Sequence, residues 1–154
     1  LIEQVLELDK NYTSVQEYYK LFLSGDEEAV LKKQKKIIEN EFFPGKGLPR
    51  TRYSVARKAI SDIAKLGISP EYQADLMLFY VEIGVRFTLE YGDINEQFYN
   101  SMESMFFKAL KYMHKERLLS LFQFRAKEIL EATSDVGWGF HDTLGDYYFE
   151  YYRE

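Results

Sequence analysis

The chain has no cysteine, only three prolines and a single tryptophan in 154 residues. The missing thiol excludes a disulfide scaffold, a Cys-ligated zinc site and a cysteine nucleophile, though it assigns no redox compartment on its own. Long hydrophobic runs are missing too. The longest, Leu76 to Val81, falls far short of the ~20 residues a membrane-crossing helix needs. No secretory leader is visible, because the opening LIEQVLELDK is amphipathic and acidic. That opening lacks Met and is already in helical register, so further sequence is expected to precede Leu1. Sustained β-branched alternation is absent, which removes strands from the expected fold. There is no GxGxxG, Walker-type loop, GxSxG, Ser-His-Asp order, HExxH or pair of ExxH motifs, so neither a cofactor nor a metal is expected.

What the chain does have is core. Hydrophobic residues make up 46% and aromatics 17%, with 13 Tyr and 12 Phe, enough for a single helical domain spanning 1–154. Residues 70 to 92, PEYQADLMLFYVEIGVRFTLEYG, form the stretch around which the remainder is organised. Their pattern predicts one long helix, apolar on most faces and therefore wrapped by others. Its charges, Glu71, Asp75, Glu82, Arg86 and Glu90, fall on one narrow stripe at ~100° per residue.

Around this stretch the punctuation predicts about seven helices. The first covers residues 1 to 23. Asp26 then caps a helix with Leu31, Gln34, Ile38 and Phe42 on one stripe, stopped by Phe43-Pro44-Gly45. The turn-rich stretch from Pro44 to Arg52 reads as a surface loop. A third helix runs from about Thr51 to Leu66. Ser69, with Pro70 in the first turn, is expected to cap the central helix. Asp93 with Glu96 reads as a capping box for the next one, whose apolar positions are Phe98, Met102, Met105, Phe106, Ala109, Leu110 and Met113. A short connection makes these two helices antiparallel neighbours. A sixth helix carries Leu118, Leu119, Phe122, Ala126, Ile129 and Leu130, and an aromatic one closes the chain from about Phe140 to Tyr152.

Two resemblances follow from these residues. Tyr80-x2-Ile83-Gly84-x2-Phe87 with Met102-x3-Phe106-x2-Ala109 resembles the two helices of a tetratricopeptide repeat. The spacing is longer than that family's and its terminal Pro is missing, so the likeness is to a helical hairpin in which Gly permits close approach. From about Glu41 onward, ADLMLFYVEIGVRFTLEYGDINEQFYNSMESMF and GWGFHDTLGDYYFEYY are similar to a bacterial family of domains of unknown function. That resemblance implies an intracellular all-helical domain and brings no catalytic residues with it.

Three constellations are candidates for function. The first is the charged stripe, with Arg86 expected between Glu82 and Glu90 in an i, i+4, i+8 ladder. Its functional reading is a polar groove for a cationic partner; its structural reading is an internally paired ridge. The second is Gly137-Trp138-Gly139-Phe140-His141-Asp142 followed by Asp146. His141, Asp142 and Asp146 would form a metal or general-base cluster if they faced Asp75 or Glu82. The alternative is a helix cap by Asp142 with Trp138 packed in the core. The third is the basic segment from Lys32 to Lys58, with Arg50, Arg52, Arg57 and Lys58 as anion contacts. The net charge of −5, with +2 in residues 1–68 and −7 in 69–154, argues against nucleic acid.

The expected object is thus an all-α domain of antiparallel hairpins around the 70–92 helix, either a short α-solenoid of tetratricopeptide type or a compact bundle. Its expected role is a non-catalytic, cytoplasmic module for a protein or peptide partner, with no membrane contact. The alternatives are a metal-binding or hydrolytic enzyme built on the His/carboxylate cluster, and an anion or nucleic-acid contact through the basic segment.

Overall fold

The start and stop signals divide residues 26–153, the part that the computed structural model describes, into six helices. These are α1 (Glu27–Phe42), α2 (Tyr53–Lys65), α3 (Pro70–Tyr91), α4 (Glu96–Lys115), α5 (Leu119–Ala132) and α6 (Phe140–Tyr151). Among the described residues there is no strand. The helix expected over residues 1–23 lies outside them; the other six fall where the sequence pattern puts them.

The caps are partly different from the expected ones. Asp26 accepts from the Ala29 amide at 3.0 Å, as its position predicts. Ser69 makes no cap. Its amide and hydroxyl donate instead to the Glu27 carboxylate, the hydroxyl at 2.7 Å, tying the start of α3 to the start of α1. The α4 cap is Asn95, whose side chain accepts from the Phe98 amide at 2.9 Å, so the Asp93–Glu96 capping box does not form. Asn and Asp are near-equal at this position, and the chain takes the later of the two.

The helices pair as three antiparallel hairpins. Gln34 donates to the Ala59 carbonyl and Arg52 meets Glu41, fixing α1 against α2. Tyr80 meets Ser101 and Thr88 meets Tyr99, fixing α3 against α4. The Tyr152 hydroxyl donates to the Leu119 carbonyl and Thr133 meets His141, fixing α5 against α6. Helices α1, α2, α4 and α5 all pack on α3, which gives the 70–92 stretch the central place its composition predicts.

The core follows the expected stripes. Leu31, Gln34, Ile38 and Phe42 of α1 are buried, as is every apolar position singled out on α4. Phe42, Phe87, Phe98 and Tyr53 meet at one end with ring centroids 5.3–6.4 Å apart, contacts worth about 0.5–1.5 kcal/mol each beyond their area. Buried Gly84 provides the close approach between α3 and α4: a methyl group there would overlap the Met102 thioether. The buried tyrosines keep their hydroxyls satisfied. Tyr80 hydrogen-bonds the Ser101 hydroxyl at 2.5 Å, while Tyr99 bonds Thr88 at 2.8 Å and accepts from the Ile94 amide.

Candidate functional site

The charged stripe of α3 is real, but its centre is not Arg86. Asp75 and Glu82 face α5 and hold Arg125 between them. The guanidinium donates through Nη2 and Nε to the two Glu82 oxygens at 2.6 and 3.1 Å, through Nη1 to Asp75 Oδ1 at 2.9 Å, and again to the Asp75 carbonyl. Lys35 from α1 reaches the same Asp75 oxygen at 2.9 Å. Burial works against the Arg125 charge, but Glu82 and then Asp75 outweigh it, so the proton is held more tightly than usual. Arg86 turns the other way. Its guanidinium lies 4.0 Å over the Phe43 ring and 3.8 Å from Glu39, and the expected ladder with Glu82 and Glu90 is not made. Phe43 stands beside Arg86 at the end of α1, and cation–π stacking competes well with exposed i, i+4 pairs. Glu90 is exposed near the end of α3.

The His/carboxylate group lies elsewhere. His141, Asp142 and Asp146 line a hollow of about 470 Å³ with Leu130, Gly145 and Phe149, whereas Asp75 and Glu82 are engaged by Arg125. The His141 Nδ1 lies 2.9 Å from the Thr133 hydroxyl. The same hydroxyl lies 2.8 Å from the Leu130 carbonyl; with its proton there, the imidazole donates from Nδ1 and Nε2 is the acceptor of the neutral ring. Among the described residues no group of three or more His, Asp or Glu is arranged to hold a metal ion.

Two expectations for this turn change. Asp142 does not cap α6: the residue before the helix is Gly139, which makes no side-chain cap. Trp138 is not in the core but 57% exposed. It takes a left-handed backbone, φ 66, followed by Gly139 at φ 67, a conformation that costs a bulky residue on the order of 1–3 kcal/mol. Its ring stacks on Tyr99 at 5.8 Å and 26°.

The basic segment divides. Arg52 makes a two-pronged contact with Glu41, which is 4% exposed, at 2.8 and 3.0 Å, and its amide donates to the same carboxylate. Burial pushes the Glu41 carboxyl up, but the Arg52 side chain and amide, with the Arg52 and Arg50 charges, outweigh it and bring its pKa below the ordinary value. Arg50 itself is exposed, and Lys58 pairs with Asp62 at 3.0 Å. Arg57 faces a polar groove between α2 and α4. Arg52 and Arg57 line one hollow and Arg57 and Lys58 the adjoining one, so three of the four expected anion contacts border the same groove, while Arg50 lines neither hollow.

Sequence reasoning missed Arg125, Lys35 and Gln73. A signal for Arg125 was present: it sits between Phe122 and Ile129 beside the buried Ala126, a cation bordering an apolar stripe in a chain whose central helix carries an acidic one. Gln73 gave no such signal, since a single Gln in an apolar helix reads as surface.

Among the described residues no helix is long and apolar enough to cross a membrane. No curated protein and no solved structure matches the chain. A family match covers residues 1–149, wider than the likeness from Glu41 onward. The chain, with its all-helical hairpins around α3, belongs to the family of unknown function DUF6155.

Proposed function

We propose that this domain is a non-catalytic interaction module that docks a cationic segment of another protein against Trp138. One observation carries the reading: an indole held half-exposed, in a costly left-handed conformation, on a buried tyrosine. An outlier of this kind, kept by surrounding structure, argues from strain to use. Trp is also the side chain most enriched at the energetic centre of interfaces.

Tyr99 supports the reading from below. Its ring carries the indole, and its hydroxyl accepts from Ile94 in the turn between α3 and α4. Glu90, Asp93 and Glu96, all exposed, belong to that turn and its edges, so the turn that the supporting tyrosine bonds is acidic. Lys and Arg fit an acidic turn and an aromatic face, through ion pairing and cation–π contact. The hairpin likeness to tetratricopeptide repeats and the absence of a catalytic signature lean the same way, and the family likeness motivates placing the module in the cytoplasm.

Trp138 is the chain's sole tryptophan, so its emission reads the surface directly. Titration with an Arg/Lys-rich peptide should shift or quench that emission saturably, while a Glu-substituted counterpart should not. Calorimetry should show the affinity lost in Trp138→Ala. Saturable binding undiminished by that substitution, or no response to the cationic peptide, would overturn the reading.

A further inference from the structure

Helices α2 and α4 both lean on α3, and a groove runs between them over the side of α3 that bears Gln73, Met77 and Tyr80. It consists of adjoining hollows of about 340 to 550 Å³, and Arg57 lines them all. Single small molecules occupy spaces of this size. Arg57 is exposed and, unlike Arg52, Arg86 and Arg125, has no carboxylate partner among the described residues; the same holds for Lys108 across the groove. The walls add the hydroxyls of Ser54, Ser61, Ser101 and Ser104.

The floor provides a second, independent observation. Gln73 is only 8% exposed, lines the hollow that Arg57 and Lys108 share, and its Oε1 has no hydrogen-bond partner among the described residues. A buried acceptor left unmet is costly. Gln73 lines the hollow and rotation about the last torsion of Gln is soft, so a ligand there that carries a donor would relieve that cost on reaching the oxygen.

We infer that this groove binds a small organic phosphate that also carries a hydroxyl group. The phosphate lies on Arg57 and Lys108, since a guanidinium matches it with paired, charge-assisted hydrogen bonds. The hydroxyl donates to Gln73. A polyanion is the poorer fit, because Glu96 borders one end of the groove and the chain is net negative. The inference does not rest on the Trp138 reading, although Glu96 figures in both.

The four methionines make the test local. Met77 and Met105 line the groove, while Met102 seats against Gly84 and Met113 is buried in the core. With the full chain labelled at its methionine methyls, glycerol 3-phosphate should shift Met77 and Met105 saturably, and Met102 and Met113 far less. Arg57→Ala, at an exposed position and checked for helicity, should weaken binding by about tenfold or more, the scale of a lost charge-assisted pair. Ethyl phosphate, which has no hydroxyl, should bind more weakly, and Gln73→Met should reduce glycerol 3-phosphate to the same level. The inference is overturned by equal shifts at all four methyls or by no saturable shift. It is equally overturned by matched chloride reproducing the effect, by an Arg57→Ala chain that binds as before, or by a hydroxyl preference that survives Gln73→Met.

Discussion

The two polar faces of α3 differ in completeness. On one, Asp75 and Glu82 surround Arg125 so fully that the guanidinium makes four hydrogen bonds, with Lys35 added at Asp75. On the other, Gln73 sits below Arg57 and Lys108, and among the described residues its oxygen is unmet and neither cation has a carboxylate. The residues lie on opposite sides of the helix at ~100° per residue. A polar face whose donors and acceptors are matched internally is doing structural duty, because any ligand would have to displace contacts already made. An unmatched face retains its capacity to bind. The contrast separates structural charge from available charge without reference to which residues are titratable.

Breaking the matched face should have the largest effect. Arg125→Ala leaves Glu82 unpaired and Asp75 dependent on Lys35, and should cost about 2 kcal/mol in denaturant unfolding. This lies below the ~3–5 kcal/mol of a fully buried pair, since Arg125 is 29% exposed. A cycle with Glu82→Gln should show strong coupling; additive losses would dissolve the claim that the seam is one unit.

Next comes Glu41, the matched carboxylate of the basic segment. Its pKa is lowered on folding from the ordinary 4.5, so it contributes stability that is present above pH 4.5 and lost as pH falls through the folded value. Glu41→Gln should lower Tm by a few degrees at neutral pH and flatten the acid limb between those two values. An unchanged acid limb would show that Arg52 contributes nothing to it.

Two glutamines then sharpen the comparison. Gln34 shares with Gln73 an unmet oxygen but donates to the Ala59 carbonyl at 2.8 Å. Gln34→Met should therefore cost about 1 kcal/mol, whereas Gln73→Met should be neutral or slightly stabilising. The reverse order would place a hidden partner on Gln73. The smallest effect belongs to Arg57→Ala, within about 0.5 kcal/mol of the parent in unfolding, since among the described residues no carboxylate is paired with it. A clearly larger loss would move Arg57 to the structural side.

How much of this was legible in the sequence depends on what each residue's position is fixed by. The apolar stripe of α4 was readable because Phe98, Met102, Met105, Phe106, Ala109, Leu110 and Met113 recur at helical spacing and all end up buried. The stripe on α3 was readable for the same reason. The partner of that stripe was not, because Arg125 is 43 residues from Glu82, and periodicity within one helix says nothing about which other helix faces it. Local rules also misplaced Arg86: i, i+4 pairing is weak at exposed positions, and a phenyl ring from α1 won. Trp138 was misjudged by the habit of burying large aromatics. The two flanking glycines did signal an unusual backbone, but the positive φ falls on Trp138 itself as well as on Gly139. The groove at Gln73 is a product of how α2 and α4 lean on α3, a tertiary fact with no local trace.

The Gly84 seat has a mechanical consequence. The Met102 thioether rests where a side chain of α3 would otherwise stand, so α4 is indexed along α3 as by a detent. Sliding by a helical turn, ~5.4 Å, would have to lift the sulfur out of its notch and drive it against larger side chains. The notch therefore opposes translation of α4 along α3. Tyr80–Ser101 beside the groove and Thr88–Tyr99 beneath Trp138 are rungs of that same indexed ladder.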